Sequence, residues 1–270
     1  VTVVPVGKGG AYSTPEKIIR IMRDLQSNVL MTTPSYAITL AEAAEAMSFD
    51  LPSLKLKKIW LTGEGCSPAF RERVEKIWGT IANFYYGSLE CMGLGIECDA
   101  HAGYHIPMGH VILEIVDPKT GQVLEPGEIG EVVATPLLRF DTPLLRYRTQ
   151  DLGYIDTEPC SCGSDFPRFF MRGRLVDHIT IQGIHFSPFY LEEFLMRLDE
   201  VGNWYQFVVK PEGNETLKIR TELAKGVEPS PELADKLASK MEFSLGIPCE
   251  FEFVAKLHRV GSKAVRVVRE

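Results

Sequence analysis

The chain has 270 residues, of which 45% are hydrophobic and 24% charged, and its formal net charge is −7. This is the composition of a soluble globular protein with room for one large domain or two smaller ones. An acidic balance argues against a nucleic-acid partner, which would require a basic face. The sequence has no run of about 18 uncharged apolar residues, so it predicts no membrane span.

Six scattered cysteines do not form a disulfide scaffold, so a reducing cytoplasm is the expected location. Residues 1–5 contain neither the charged segment nor the apolar run of a signal peptide. Because the sequence also lacks an initiator Met, we expect it to be cut out of a longer chain.

Predicted helices and strands alternate in the first third of the chain. Thr14-Pro15 and Ser67-Pro68 each place a hydroxyl N-cap before a proline at the first helical position. The predicted elements are a helix from residue 14, a strand at 29–31, a helix at 36–47, a strand at 58–62, a helix from residue 67 and a strand at 81–85. This alternation indicates a parallel α/β sheet.

The pattern changes after about residue 100, where the chain becomes rich in predicted strands. Beyond residue 177 the predicted elements are a strand at 178–182, a helix at 188–198, a hairpin at 203–221, a helix at 230–245 and a strand at 250–255. We therefore predict a larger α/β domain over residues 1–172 and a smaller α+β domain over residues 173–270.

Two polar clusters could carry chemistry. Residues 146–153 (RYRTQDLG) contain Asp151, whose carboxylate could accept both hydroxyls of a ribose, or could form a solvated ion pair. Residues 85–90 (YYGSLE) follow a predicted strand, and α/β sheets bind ligands at the carboxyl ends of parallel strands. There a tyrosine could stack on a purine and Glu90 could hold Mg²⁺. The alternative is a core tyrosine and a surface glutamate.

Five segments in a fixed order carry a family resemblance. The first is Thr33-Pro34-Ser35-Tyr36-Ala37, which matches the family motif TPSYA. Residues 86–90 (YGSLE) resemble the motif YGxTE, and residues 146–151 (RYRTQD) resemble RYRTGD. Gly173-Arg174, with Gly183 and Pro188 downstream, resembles GRxDD…G…P, and Lys263 falls at the lysine of GKxxR. Together they resemble the adenylate-forming superfamily, most closely phenylacetate–CoA ligases and their deazaflavin-adenylating relatives. The resemblance runs over nearly the whole chain.

This resemblance implies the carboxy-terminal part of a large nucleotide- and acyl-binding domain, with a parallel α/β sheet and a β-rich segment, followed by a small mobile α+β domain. The implied reaction joins a carboxylate to the α-phosphate of ATP with Mg²⁺ and then transfers the acyl group from AMP to CoA. The implied acid is an aryl or arylacetic acid. Such a reaction brings two anions together, so it depends on cations and positioning.

The resemblance also implies a role for individual residues. Glu90 would hold Mg²⁺, and Lys263 would reach the α-phosphate and the attacking carboxylate as a point charge. The nucleotide contacts would come from Tyr86, Gly87, Gly63 and Glu64 beside the adenine and from Asp151 and Arg174 at the ribose.

Four residues depart from the family motifs. Leu89 replaces a Thr, Gln150 a Gly, Val176 the Asp around which the small domain pivots, and Ser262 the Gly before the lysine. Leu89, Gln150 and Val176 support a second hypothesis, in which the protein is a non-catalytic homologue that binds a nucleotide or an acyl group without turnover.

The family's Ser/Thr/Gly-rich phosphate loop has no counterpart in the sequence. Residues 7–10 (GKGG) lack the hydroxyl residues and the preceding strand, and we interpret them as a turn. We therefore expect a fragment that is inactive alone, or a split enzyme whose phosphate loop lies on another chain. Strand edges exposed in such a remnant would favour a homodimer.

Three cysteines and one histidine could form a closed tetrahedral set suited to structural zinc: Cys98, His105, Cys160 and Cys162. His101 and His110 are alternative ligands. The resemblance supports this hypothesis, because some phenylacetate–CoA ligase relatives carry cysteine and histidine at similar places. Unrelated buried cysteines are the alternative.

Overall fold

The computed structural model describes residues 1–7, 13–210, 213–259 and 263–270. Lys8, Gly9 and Gly10 of the predicted turn, the hairpin tip at 211–212 and Ser262 lie outside the described residues. Contacts divide the chain into two compact units. The first unit comprises Val1–Lys57, Glu64–Thr80 and Ile179–Glu270, and the second comprises Lys58–Gly63 and Ile81–His178.

The helices of the described residues all lie in the first unit. They are Pro15–Asp24 (α1), Pro34–Ala46 (α2), Pro68–Trp78 (α3), Pro188–Leu195 (α4) and Pro231–Leu245 (α5), with a 3₁₀ helix at Leu51–Leu54. None of these helices is long and apolar enough to cross a membrane.

Each α-helix begins at a proline that directly follows a serine or threonine. In four of them the hydroxyl accepts a hydrogen bond from a main-chain N–H of the first turn, while Ser187 of α4 has no such bond. Gly79 and Gly246 end α3 and α5 with φ of 64° and 70°, a left-handed conformation that glycine adopts without steric cost. The local sequence thus fixes these helix ends.

The strands are Val29–Thr32 (β1), Lys58–Thr62 (β2), Ala82–Ser88 (β3), Met92–Glu97 (β4), Tyr104–His105 (β5), Val111–Val116 (β6), Gly130–Pro136 (β7), Tyr147–Asp156 (β8), Arg168–Arg174 (β9), Ile179–Ile181 (β10), Ile184–Phe186 (β11), Val201–Val209 (β12), Leu217–Leu223 (β13), Cys249–Phe253 (β14) and Val267–Arg269 (β15).

In the first unit, a four-stranded sheet has the order β14-β13-β12-β15. The hairpin β12–β13 is antiparallel, and each of its strands gains a parallel neighbour on its outer edge. Helix α5 packs on β14 and buries Leu237 and Met241. Helix α3 packs against both α2 and α4, so the helices of residues 34–78 and the carboxy-terminal segment share one compact unit.

In the second unit, the strands form one sheet in the order β2-β3-β4-β5-β9-β8-β7-β6. The β2–β3 pair is parallel and the other pairs are antiparallel. Its core is a cluster of buried side chains that includes Tyr86, Leu94, Val132 and Phe169. The parallel α/β start and the β-rich continuation are therefore confirmed, whereas the domain boundary at residues 172 and 173 stays a prediction.

Candidate functional site

The Asp151 carboxylate is held by two partners from neighbouring strands. Tyr86 Oη donates to Asp151 Oδ2 at 2.7 Å, and Arg174 Nε lies 3.0 Å from Asp151 Oδ1. Asp151 on β8 stands opposite Arg174 on β9 in the sheet register, and Tyr86 comes from β3. Three predicted site residues that are far apart in sequence therefore converge within one unit.

Burial determines the ionisation of this cluster. Burial raises the pKa of the Asp151 carboxyl, although the hydrogen bond from Tyr86 and the charge of Arg174 act in the opposite direction. Burial and the negative charge of Asp151 raise the pKa of the Tyr86 phenol well above its ordinary value. Tyr86 therefore keeps its proton at neutral pH and remains a hydrogen-bond donor to Asp151.

The Tyr86 ring belongs to an aromatic cluster in the core of the second unit. It stacks on Phe169 with 5.1 Å between ring centroids and lies 5.5 Å from the Tyr104 ring. These contacts direct its hydroxyl to Asp151. The position of Tyr86 beside an adenine stays a prediction.

Glu90 lies in the exposed turn between β3 and β4. Its own main-chain N–H and the Ser88 hydroxyl lower the pKa of its carboxyl, so the group is ionised at neutral pH. Arg139 holds this turn by donating to the carbonyl oxygens of Leu89 and Glu90 at 2.7 and 2.5 Å. A Cβ on Gly87 would approach the Met92 carbonyl oxygen to 2.3 Å, so the turn requires glycine there.

Glu64 makes its hydrogen bonds within the first unit. Its Oε2 accepts from the main-chain N–H of Ser35 at 3.0 Å and from the Ser35 hydroxyl at 2.6 Å. Its Oε1 accepts from the main-chain N–H of Ala264 at 2.8 Å. Ala264 directly follows the exposed Lys263, so the Glu64 carboxylate binds the main chain next to the predicted catalytic lysine. Contact of Gly63 and Glu64 with adenine stays a prediction.

Sequence reasoning gave no role to Ser35 or to Arg266, which the structure adds to this region. The Arg266 guanidinium lies 4.2 Å from the Tyr205 ring centroid and 4.9 Å from that of Phe70. Ser35 lies in the TPSYA-like segment and Arg266 at the end of the GKxxR-like segment. Their positions within these motifs were the sequence feature that could have pointed to both residues.

The four predicted metal ligands come together within the second unit. The ligand atoms of Cys98, His105, Cys160 and Cys162 all lie within 4.8 Å of one another. Cys98 Sγ and Cys160 Sγ are 3.7 Å apart, and Cys162 Sγ lies 3.5 Å from His105 Nε2. The alternative ligand His101 instead places its Nδ1 3.3 Å from a carboxylate oxygen of Glu97.

The structure shows the backbone conformation or the exposure of three residues that depart from the family motifs. Gln150 has φ of 65°, the left-handed conformation that explains why the related motif has glycine there. Leu89 and Val176 are both exposed, so neither fills a core position.

Comparison with known proteins identifies the family. The sequence model of the AMP-binding enzyme family matches residues 1–135, and that of the AMP-binding enzyme C-terminal domain matches residues 183–270. The chain belongs to the AMP-binding enzyme family. The resemblance inferred from the five ordered segments is thereby confirmed.

The curated relatives include phenylacetate-coenzyme A ligases. The protein from Thermus thermophilus is 36% identical over 216 residues, which cover 78% of this chain and 48% of the relative. The protein from Escherichia coli (strain K12) is 30% identical over 278 residues, which cover 98% of this chain and 62% of the relative. The chain therefore spans about half the length of the curated relatives it matches.

Comparison with solved structures shows that this chain has the fold of adenylate-forming ligases. A 2-hydroxyisobutyryl-CoA ligase in the postadenylation state, in complex with 2-HIB-AMP, matches with a TM-score of 0.90 at 23% identity, covering 97% of this chain and 58% of that chain. An anthranilate CoA ligase in complex with anthranoyl-AMP matches with a TM-score of 0.69 at 17% identity, covering 94% and 52%.

Proposed function

We propose that the protein is an ATP-dependent acid–thiol ligase that activates an aryl or arylacetic carboxylate as an acyl-AMP and transfers the acyl group to CoA. The observation that carries this proposal is the Asp151 carboxylate held between Tyr86 and Arg174 in a chain of the AMP-binding family. The names of the phenylacetate-coenzyme A ligase relatives support the choice of acid and acceptor.

Each role follows from the chemistry of the side chain. Asp151 accepts hydrogen bonds from the ribose hydroxyls, and its fixed orientation reduces the entropy lost on binding. Glu90 supplies carboxylate oxygens, the ligands that Mg²⁺ prefers. Lys263 offsets the negative charge of the α-phosphate and of the attacking carboxylate, which would otherwise repel each other.

The test is ATP–pyrophosphate exchange by the full-length protein with a panel of aryl and arylacetic acids. We expect exchange with at least one acid and its loss in Asp151→Ala. The matched control is Asp99→Ala, which removes an exposed aspartate that pairs with Lys58 in the same unit. Exchange with no acid, although ATP binds, would contradict the proposal.

A second candidate is a homologue that binds nucleotide or acyl group without turnover, which the changes at Leu89 and Val176 favour. The two candidates differ in what they predict for Lys263→Ala. The ligase loses its biological role with this variant, and the binding protein keeps it. Complementation of a strain that lacks the protein distinguishes them.

The Cys98, His105, Cys160 and Cys162 group fits structural zinc, and we propose it as a zinc site. A tetrahedral ion with Zn–S bonds of about 2.3 Å places two sulfur ligands about 3.8 Å apart. The observed distance of 3.7 Å between the Cys98 and Cys160 sulfurs agrees with this value. The zinc would tie the segment between β8 and β9 to β5 and the end of β4, with a structural rather than a catalytic role.

A further inference from the structure

The Glu64 carboxylate joins three segments that are distant in sequence. Both of its oxygens are used, one by the main chain and hydroxyl of Ser35 and the other by the main chain of Ala264. The Ser35 hydroxyl also lies 3.0 Å from the Ala264 N–H, so that amide is held by two acceptors. Hydrogen bonds to an ionised carboxylate are shorter and stronger than those between neutral groups.

A second anchor lies two residues further along the chain. The Arg266 guanidinium donates to the Asn203 carbonyl oxygen at 3.1 Å and lies over the Tyr205 ring. The Tyr205 hydroxyl donates a hydrogen bond to the buried Glu192 carboxylate, which also attracts Arg266 electrostatically. Arg266 therefore has a fixed place, with a carboxylate and aromatic rings around it.

We propose that Glu64, with Ser35, is a positioning group for Lys263 in the adenylation step. The inference rests on the proposed function for the role of Lys263. A lysine side chain is long and flexible, so the location of its main chain sets the volume that its ammonium can reach. The anchors at Ala264 and Arg266 fix that main chain, while Lys263 itself remains exposed.

This role differs from the adenine contact predicted for Glu64. An adenine contact would act on ATP affinity, whereas a positioning group acts on the rate of the step that uses the lysine. In the full-length protein we expect Glu64→Ala to lower kcat for ATP–pyrophosphate exchange by about 100-fold, the scale for a displacement near 1 Å. The KM for ATP should stay within about threefold, since Lys263 acts mainly in the transition state.

A double-mutant cycle separates positioning from general damage. If Glu64 acts through Lys263, then Glu64→Ala adds no further loss in a Lys263→Ala background. Glu64→Gln keeps one carbonyl acceptor and should recover part of the rate. The matched control is Glu45→Ala, which removes an exposed carboxylate of α2 paired with Lys225 and should leave the rate unchanged.

Amide hydrogen exchange tests the anchor without any activity. We expect faster exchange over residues 263–266 in Glu64→Ala than in wild type, with the melting temperature nearly unchanged. Unaltered exchange there, additive losses in the cycle, or a raised KM for ATP at constant kcat would overturn the inference. Absence of pyrophosphate exchange in the wild-type protein would instead contradict the proposed function. Amide hydrogen exchange measures the anchor without activity, so the two failures can be distinguished.

Discussion

Gln150 adopts a left-handed backbone conformation that is typical of glycine. Its φ of 65° is left-handed, and its carbonyl oxygen accepts from the Leu175 N–H at 2.8 Å. The next residue is Asp151, whose N–H donates to the Thr149 hydroxyl at 3.1 Å. The Asp151 carboxylate therefore stays in position, and the conformational strain lies in the backbone of Gln150.

Relief of this strain is measurable. We expect Gln150→Gly to raise the free energy of unfolding by about 1 kcal/mol, since a left-handed non-glycine residue costs roughly 1–2 kcal/mol and glycine loses part of that gain to entropy. Urea denaturation of both proteins measures the difference. The control is Gln122→Gly, at an exposed position without positive φ, which should not stabilise. A loss of stability with Gln150→Gly would contradict this account of the strain.

Some single residues were predictable from sequence and others were not. Asp151, Tyr86 and Arg174 lie within short motifs, so their proximity follows once the motifs are aligned with the family. The bond from Glu64 to Ala264 joins residues 200 positions apart through a main-chain N–H, so no side-chain pattern marks it. Such a contact depends on the folded arrangement.

At the scale of elements, helix α5 is tied to the segment before β12 by one carboxylate. Glu200 accepts from Lys236 Nζ at 2.9 Å and lies 3.5 Å from Lys240 Nζ, both on α5. The Lys236 hydrogen bond and the residue's own main-chain N–H lower the pKa of Glu200 to about 2 from an ordinary 4.5.

This shift predicts a dependence of stability on pH. Because the folded-state pKa is depressed, the contribution of Glu200 is fully present above about pH 4.5 and is lost as the pH falls toward about 2. Glu200→Gln should therefore lower the melting temperature near pH 6 and make little difference near pH 2. The control is Glu228→Gln, an exposed carboxylate of the same unit. An equal effect of Glu200→Gln at both values would contradict the assignment.

The proposed zinc connects β4, β5 and the segment between β8 and β9. We expect about one zinc per chain in protein purified without chelator, and a lower melting temperature after its removal, because metal binding contributes to folding. Cys162→Ser should reduce the zinc content, whereas Cys249→Ser, in the other unit, should not. Well under one zinc per chain in chelator-washed wild-type protein would contradict the proposal.

Helices were easier to predict than strands. The serine or threonine followed by proline marks the start of every described α-helix, and apolar spacing supplies the rest. Strands β4, β5, β8 and β9 were not predicted individually. Gly93 and Gly95 interrupt β4, and charged residues interrupt the alternation in β8 and β9, so tertiary pairing defines these strands.

At the scale of the whole molecule, the alternation of apolar runs predicted the α/β class, which the fold confirms. The compact units were not predictable, because residues 1–57 and 64–80 associate with residues 179–270 through side-chain contacts such as those of Arg73. A cytoplasmic location and a homodimer stay predictions.

The hydrogen bond between Glu64 and the main chain of Ala264 has an evolutionary consequence. The amide is common to every amino acid except proline, so the side chain at position 264 is not selected by this contact. Among relatives, we expect position 264 to tolerate many residues but not proline, while the acceptors at positions 35 and 64 change together. The anchor of the lysine would thus persist while the sequence around it drifts.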